Sequence, residues 1–509
     1  MKKLIPVSVL LFLAICSCKK DAVPGLPPNS PGAKTYISIT DSPFGADTTN
    51  TDNRTQIQAA LNQGGSIYFP PGTYKVSGRL YISSNTSVFG PGTLRLDTVS
   101  NAPLLAINGK NNIQIEQLTL DGNASFTTSG KKDTIGLIDI HYGTDITLNN
   151  ITIRNTYDFA IESDHTTRLK VSDSRIVDFG RRGINSVFSY DAKLTGNLFD
   201  GQVTHTQKGI HGIQFWGDNG SWHDSRNHVV SANVVRNVAQ GGIWANGVDN
   251  AAFSDNVISN CGDVGIDMEA ANYITITGNQ IKNCNNGGIT TFYGCRNITI
   301  SGNQVRQDSG YGAAIYLHGP NASATLNITG NDIYTKFSNG IYSDQAMISN
   351  TSISSNTIVS EGKPGIRLLA ASKMTISDNR ITVGVADLLS VRIGIAIEGG
   401  SNCLLNANTI TSLYDTAAFS PWSADRGGIH LYWVSNTYNC QKNTVTNNVI
   451  SGFKLSVNDN CWGDASSYNY IGNNRLQSVY RRNNAAWQGK IENNYHIDNP
   501  NSLITPVAY

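Results

Sequence analysis

From about residue 190 to 410, short stretches alternate apolar and polar positions, as in Ile274-Thr-Ile276 and Ile298-Thr-Ile300, and each runs into a phrase ending in Asn. The phrases are Ser231-Ala-Asn233, Ser254-Asp-Asn256, Thr277-Gly-Asn279, Ser301-Gly-Asn303, Thr329-Gly-Asn331, Ser354-Ser-Asn356 and Ser377-Asp-Asn379, at steps of 23, 23, 24, 28, 25 and 23 residues. Period-2 alternation predicts short strands. Asn and Gly tolerate the left-handed backbone of a sharp corner, so each phrase predicts a turn at which Asn side chains stack from coil to coil. Such a repeat, with two or three short strands per coil, predicts an all-β fold, a right-handed parallel β-helix whose coils pair about 4.8 Å apart. A leucine-rich repeat would need a Leu/Asn consensus that is missing, and a propeller would need longer blades.

A second signature recurs in each coil: a small residue, then Ile, then alternating positions. It reads Gly212-Ile-Gln214-Phe-Trp216, Gly242-Ile-Trp244-Ala-Asn246, Gly265-Ile-Asp267-Met-Glu269 and Gly340-Ile-Tyr342-Ser-Asp344, with earlier copies at Ile138-Asp139-Ile-His141 and Ala160-Ile-Glu162-Ser-Asp164. Successive side chains of a strand point to opposite faces, so the Ile and the residue two beyond it fill the interior and the other two face out. The first outward column reads Asp139, Glu162, Asn185, Gln214, Trp244, Asp267, Thr290, Tyr316, Tyr342, and the second His141, Asp164, Val187, Trp216, Asn246, Glu269, Phe292, His318, Asp344. Carboxylates, amides, His and large aromatics with few cations suit sugar rings, which offer apolar C–H faces and hydroxyl edges. Stacking ladders of Asn, Tyr and Thr would explain single positions of this stripe but not its whole composition.

Composition narrows the partners. In 509 residues, 38 Lys and Arg face 37 Asp and Glu, and only 15% of residues are charged, which gives no field for nucleic acid. The chain is too apolar and too low in net charge to be disordered. Length alone suggests about three domains of roughly 150 residues. The repeat replaces that expectation with one solenoid of roughly fifteen coils over residues 36–509: a cap and first coils at 36–95, a main body at 96–455, and closing coils at 456–509. Lys2, Lys3 and the apolar run Leu4 to Ile15 read as an export signal, residues 1–17. No later apolar run approaches the roughly 20 residues of a spanning helix. No Cys pair has zinc spacing; Cys261 and Cys284, one repeat apart, read as an interior ladder in preference to a disulfide.

Ile15-Cys16-Ser17-Cys18 resembles a bacterial lipobox. The resemblance implies lipidation of Cys18 and a membrane anchor, with the Pro-rich stretch 18–35 as tether and the outer membrane as location. Phe44-Gly-Ala-Asp47, Ile57-Gln-Ala-Ala-Leu61, the run from Gly64 to Tyr74, and Phe89-Gly-Pro-Gly92 resemble the opening of pectate-lyase-superfamily β-helix proteins, a group of lyases, hydrolases, epimerases and tailspikes. A short helix from Thr55 to Leu61 is expected to plug the open end of the solenoid. Leu118-Thr-Leu-Asp-Gly-Asn123, Thr128-Ser-Gly-Lys131 and the strand with Glu162 and Asp164 are similar to secreted mannuronan C5-epimerases, in which Lys131 would match a catalytic Lys. Phe159, Glu162 and Asp164 stand where that family has its catalytic Tyr, Asp and His. These departures argue against epimerisation, which needs a base and acid pair beside the uronate.

Two clusters of acids compete as the reacting centre. Asp263, Asp267 and Glu269 have Trp244 and Asn246 one coil before, Gln214 and Trp216 one further, and Tyr293 on the coil after. Asp267 and Glu269 are i and i+2, with α-carbons about 6.5–7 Å apart, which suits an acid and base in glycoside hydrolysis. The upstream cluster is Asp139, His141, Glu162, Asp164 and His165, with Lys131 as a candidate neighbour; its crowded groups should raise one another's proton affinity, or could bind Ca²⁺. The two lie about four coils, or about 20 Å, apart. The Trp platforms favour the first, with Tyr316, His318 and Asn185 as further substrate contacts and no cofactor required. Arg181 and Arg182 are the residue types a lyase needs, but the stripe otherwise lacks cations apart from Arg367, which favours a hydrolase of neutral or weakly charged glycan. The insertions Gln202 to Asn227 and Leu413 to Arg426 are expected to wall the groove. The leading expectation is a lipid-anchored glycan hydrolase; the alternatives are a polysaccharide lyase or epimerase, and a non-enzymatic glycan-binding or adhesion protein.

Overall fold

Each coil is built by three short runs of alternation separated by corners. In the coil from Val264, the strands are Val264–Glu269, Asn272–Thr277 and Gln280–Lys282, after which Gly287–Phe292 begins the next. Every one of these strands pairs in parallel with its counterpart one coil on: Val264–Glu269 with Gly287–Phe292, Asn272–Thr277 with Arg296–Ser301, and Gln280–Lys282 with Gln304–Gln307. Repetition produces three long parallel sheets, called here first, second and third in that order, wound as a solenoid of about fourteen turns. This is the right-handed parallel β-helix that the repeat predicts. The computed structural model describes residues 35–97, 103–124, 135–204, 208–217, 224–318, 323–344, 348–384, 392–413, 426–435, 440–461, 468–481, 488–499 and 501–508. Residues 37–509 fall in one compact unit. Among the described residues no helix is long and apolar enough to cross a membrane.

The interior is a stack of like side chains. Ile243, Ile266 and Ile289 pair in register on the first sheet, and all three are fully buried. At about 1.5–3 kcal/mol for each large apolar side chain withdrawn from water, such columns are the main stabilising term along the axis. The Gly before each Ile also faces inward: a Cβ on Gly265 would lie 2.6 Å from Ile281 Cγ2 and 2.6 Å from the Gly288 carbonyl, so the small residue is a packing requirement.

The Asn phrases do make the corner between the second and third sheets, with one refinement. The left-handed residue is the one before the Asn: Ala232, Asp255, Gly278, Gly302, Gly330, Ser355 and Asp378 all have positive φ. The Asn itself turns inward and is buried. Asn279 shows the geometry. Its backbone N–H and its Nδ2 both donate to Asn303 Oδ1 at 2.9 Å, and Nδ2 also donates to the Phe253 carbonyl at 2.9 Å. The ladder runs on this pattern from Asn197 to Asn494, satisfying polar groups that the corner would otherwise leave buried without partners.

The helix Arg54–Leu61 buries Ile57, Ala60 and Leu61 against the first coils, where the sequence placed a plug. All six described cysteines are buried with free thiols. Cys261 and Cys284 are neighbours along the interior, and this contact together with burial pushes the Cys261 thiol up.

Candidate functional site

The first sheet carries both outward columns in the predicted register. Asp139 pairs with Glu162, Glu162 with Asn185, Asn185 with Gln214, Gln214 with Trp244, Trp244 with Asp267, Asp267 with Thr290, Thr290 with Tyr316 and Tyr316 with Tyr342. His141, Asp164, Val187, Trp216, Asn246, Glu269 and Phe292 align likewise in the second. The first column is not the solvated face that outward side chains suggest: Asp139, Glu162, Asn185, Gln214 and Thr290 are buried. Side chains stacked at coil spacing, with flanking segments beside them, shield one another from water.

In the middle of the sheet, Asp263, Asp267, Glu269, Asn286, Thr290, Phe292, Tyr311, Tyr316 and His318 line one cleft of about 530 Å³. Asp267 is its distinctive group. Its Oδ1 is buried and has no hydrogen-bond partner among the described residues. Burial, with Glu269 and Asp263 adding like charge, pushes its carboxyl well above the usual range. Glu269 is oriented by Asn246, whose Nδ2 donates to Oε2 at 2.6 Å, and Asp263 by Asn286, whose Nδ2 donates to Oδ1 at 2.8 Å. At the far end Tyr316 and His318 both bond Asp344 Oδ2 at 2.6 Å. Tyr311, 85% exposed, stands at the mouth. Its segment is fixed because the Tyr311 and Gly312 amides donate to the Asn285 carbonyl at 3.2 and 3.1 Å.

Upstream the same columns hold a different arrangement. His141 contacts Asp139 Oδ1 at 3.3 Å through Nε2 and Asp164 Oδ2 at 3.1 Å through Nδ1, and His165 Nδ1 bonds Asp164 Oδ1 at 2.7 Å. These carboxylates raise the His141 imidazolium to about 10. Asp164 moves the opposite way from the expected mutual rise: despite its burial, the two His side chains hold it below the usual range. Glu162 does rise, to about 8, through burial and the nearby acids, although Asn185 Nδ2 donates to its Oε2 at 2.7 Å. Asn185 Oδ1 in turn accepts from Arg182 at 3.0 Å. Arg181 and Arg182 both lie against the Phe159 ring, at 5.0 and 5.1 Å. Burial lowers Arg182 to about 10 and, one coil on, lowers His211 to about 4, leaving His211 neutral. Lys131 lies outside the described residues.

Between these regions Trp244 stacks on His211 at 5.4 Å and meets Trp216 edge-on at 5.4 Å. The Trp pair, Gln214 and Asn246 lie on the coils before the cleft and do not line it. Tyr293 is displaced from its expected place. It takes the left-handed corner after Phe292, is exposed, and lies outside the cleft lining, which Phe292 supplies in its stead. Arg367 is tied to Glu398 by two bonds of 2.9 and 3.2 Å, so this cation is neutralised within the protein. The first insertion contains the first-sheet strand His211–Trp216, and most of the second lies outside the described residues.

His211 and Asp344 gain their roles from neighbours one coil away, a contact the linear pattern shows only once columns are aligned. No group of three or more His, Cys, Asp or Glu side chains is placed to hold a metal ion among the described residues. His141 has both ring nitrogens on carboxylates, and the cysteines point into the core.

Residues 201–388 match a family model described as periplasmic copper-binding protein (NosD), and residues 320–499 match one described as right handed beta helix region. The metal-ligand geometry above does not fit a copper centre in the described residues. Alginate lyase 7 of Azotobacter vinelandii is 30% identical over 175 residues, 29% of this chain and 20% of that protein, so the matched stretch spans only a fifth of the relative. Among solved structures, the A-module of a mannuronan C-5 epimerase from Azotobacter vinelandii aligns with TM-score 0.41 and 15% identity, over 84% of this chain and 96% of that one. A family 28 exopolygalacturonase from Yersinia enterocolitica aligns with TM-score 0.43 and 15% identity, over 79% of each chain.

Proposed function

We propose that the chain is an exported glycan hydrolase working in the first-sheet cleft, with Asp267 as proton donor and Glu269 as its paired carboxylate. The observation that carries this reading is Asp267: a carboxyl raised by burial, with Oδ1 unpartnered among the described residues, beside a second carboxylate in a cleft of about 530 Å³. A neutral acid next to an oriented carboxylate is the division of labour that glycoside cleavage needs. The partial likeness to an alginate lyase supports a glycan ligand. Cys18 would anchor the protein by lipid, and Trp216, Trp244 and Tyr311 would be platforms for sugar rings along the groove.

A second reading has its own support upstream. Burial pushes Glu162 up to about 8, and Arg181 and Arg182 lie against Phe159, three residues before it on the strand, groups that could take a uronate carboxylate and move its proton in a lyase or epimerase. A panel of neutral and uronate polysaccharides decides between them. Reducing ends without ultraviolet absorbance, lost in Asp267→Asn, support the hydrolase; unsaturated product, lost in Glu162→Gln, supports the lyase. Binding without product in the wild type would mark a glycan-binding protein.

A further inference from the structure

Hydrolysis in the cleft also needs a group that activates water. Glu269 is two residues from Asp267 on one strand, so the two carboxyls stand at one end of the cleft. The other end, its far wall, belongs to His318 and Tyr316, two coils on along the same face of the sheet. Thr290 and then Tyr316 follow Asp267 in register, which places the far wall two coils, or about 9.6 Å, from the acid. That strand spacing lies just above the roughly 6.5–9.5 Å between the reacting groups of inverting glycosidases, and it leaves room for a sugar and a water between the two ends.

The far wall is rigid. His318 Nδ1 and Tyr316 Oη converge on one oxygen of Asp344, each at 2.6 Å, while Asp344 Oδ1 is buried with no partner among the described residues. The His318 ring meets Phe292 edge-on at 4.1 Å and Tyr316 at 4.8 Å, and Tyr342 stacks on the other ring of that pair, Tyr316, at 5.3 Å. The His318 amide donates to the Thr291 carbonyl at 2.9 Å. A carboxylate that already accepts a Tyr hydroxyl selects the imidazole tautomer with its proton on Nδ1, leaving the Nε2 lone pair free.

We propose that Asp344 is a positioning residue that holds His318 as the water-activating base of this cleft, so that cleavage proceeds with inversion. The inference rests on the hydrolase reading. In the step, Asp267 gives its proton to the leaving oxygen as the glycosidic C–O bond breaks. A water oxygen bonds to the anomeric carbon from the opposite face and passes a proton to His318 Nε2. Proton exchange with solvent then restores both groups. Glu269, held by Asn246, stabilises the positive charge that develops on the ring, and Phe292 forms the floor between acid and base.

The tautomer of His318 can be measured in the free protein, whichever sugar the cleft takes. Long-range proton–nitrogen correlation spectra of the ¹⁵N-histidine-labelled full chain, with His318→Gln used to assign the signal, report it directly. The expected result is Nδ1–H in the wild type and in Tyr316→Phe, and a shift towards Nε2–H in Asp344→Asn. A wild-type Nε2–H tautomer, or no change in Asp344→Asn, overturns the proposal. On whichever polysaccharide of the panel is cleaved, His318→Gln should lower kcat by about 10²–10⁴-fold and remove a limb of the pH profile. Asp344→Asn should lower kcat by about 10–100-fold with little change in KM, and the first-formed anomer should be inverted. Loss of turnover in Asp267→Asn with full turnover in His318→Gln would sink the dyad and leave the hydrolase standing; full turnover in Asp267→Asn would sink both.

Discussion

Glu162 and Asp267 occupy the same outward column of the first sheet, four coils apart, and both carboxyls are raised by burial. Their surroundings differ. Glu162 receives a bond from Asn185, which is tied to Arg182, and His141 and His165 neutralise the adjacent Asp164. Asp267 has Glu269 and Asp263 as its charged neighbours, and its Oδ1 has no partner among the described residues. The upstream acids are bonded to His, Asn and, through Asn185, Arg side chains, whereas Asp267 lines a cleft with two further acids as its neighbours. A column position therefore decides which way a side chain faces, and the residues one coil away decide whether it is structural or reactive.

The largest effect expected from breaking this contrast is on turnover. Asp267→Asn should lower glycan cleavage by about 10²–10⁴-fold, measured as reducing-end release, while Glu162→Gln stays within about threefold of wild type. Equal losses in both variants would erase the distinction.

Stability should separate the regions next. Glu162 is raised on folding from 4.5 to about 8, so its contribution is fully present below about 4.5 and is lost as pH rises through about 8. The fall should be on the order of a few kcal/mol between those pH values and should be absent in Glu162→Gln, read from denaturant midpoints across pH. Asn279→Ala should cost about 1–3 kcal/mol, because the buried amide groups of Asn256 lose their acceptor. The damage should fall on the cleft coils and spare Glu162 and its neighbours, since a solenoid transmits strain mainly to adjacent repeats. Hydrogen exchange spreading over residues 136–187 in this variant would contradict that locality.

The smallest effect concerns His141, which is partly exposed. Its imidazolium, raised from 6.5 to about 10, contributes fully below about 6.5, and the contribution disappears as pH rises through about 10. Because water screens this partly exposed ion pair, His141→Gln should change the melting temperature only slightly at neutral pH, and it should remove a titration near 10 from the histidine spectrum.

The sequence by itself determined the coil. Alternation put Ile266 inside and Asp267 outside, recurrence of the Asn phrase set the register that aligned Gln214, Trp244, Asp267 and Thr290, and small residues before each Ile marked the close approach of backbones. These features are local and periodic, so a linear text records them. What only the tertiary structure decided is the company each outward group keeps. Asp164 and Asp267 look alike in the sequence, yet two His side chains lower the carboxyl of one while burial and two acids raise that of the other. Tyr293 reads as part of the outward stripe in the linear pattern and instead takes the left-handed corner after Phe292, packed on that ring at 4.5 Å. Asp344 acquires its place only because Tyr316 and His318, 28 and 26 residues earlier, stack one coil beneath it. Electrostatics and hydrogen bonding act over a few ångströms in space, and in a solenoid those ångströms run across coils, where sequence neighbours are not the nearest neighbours.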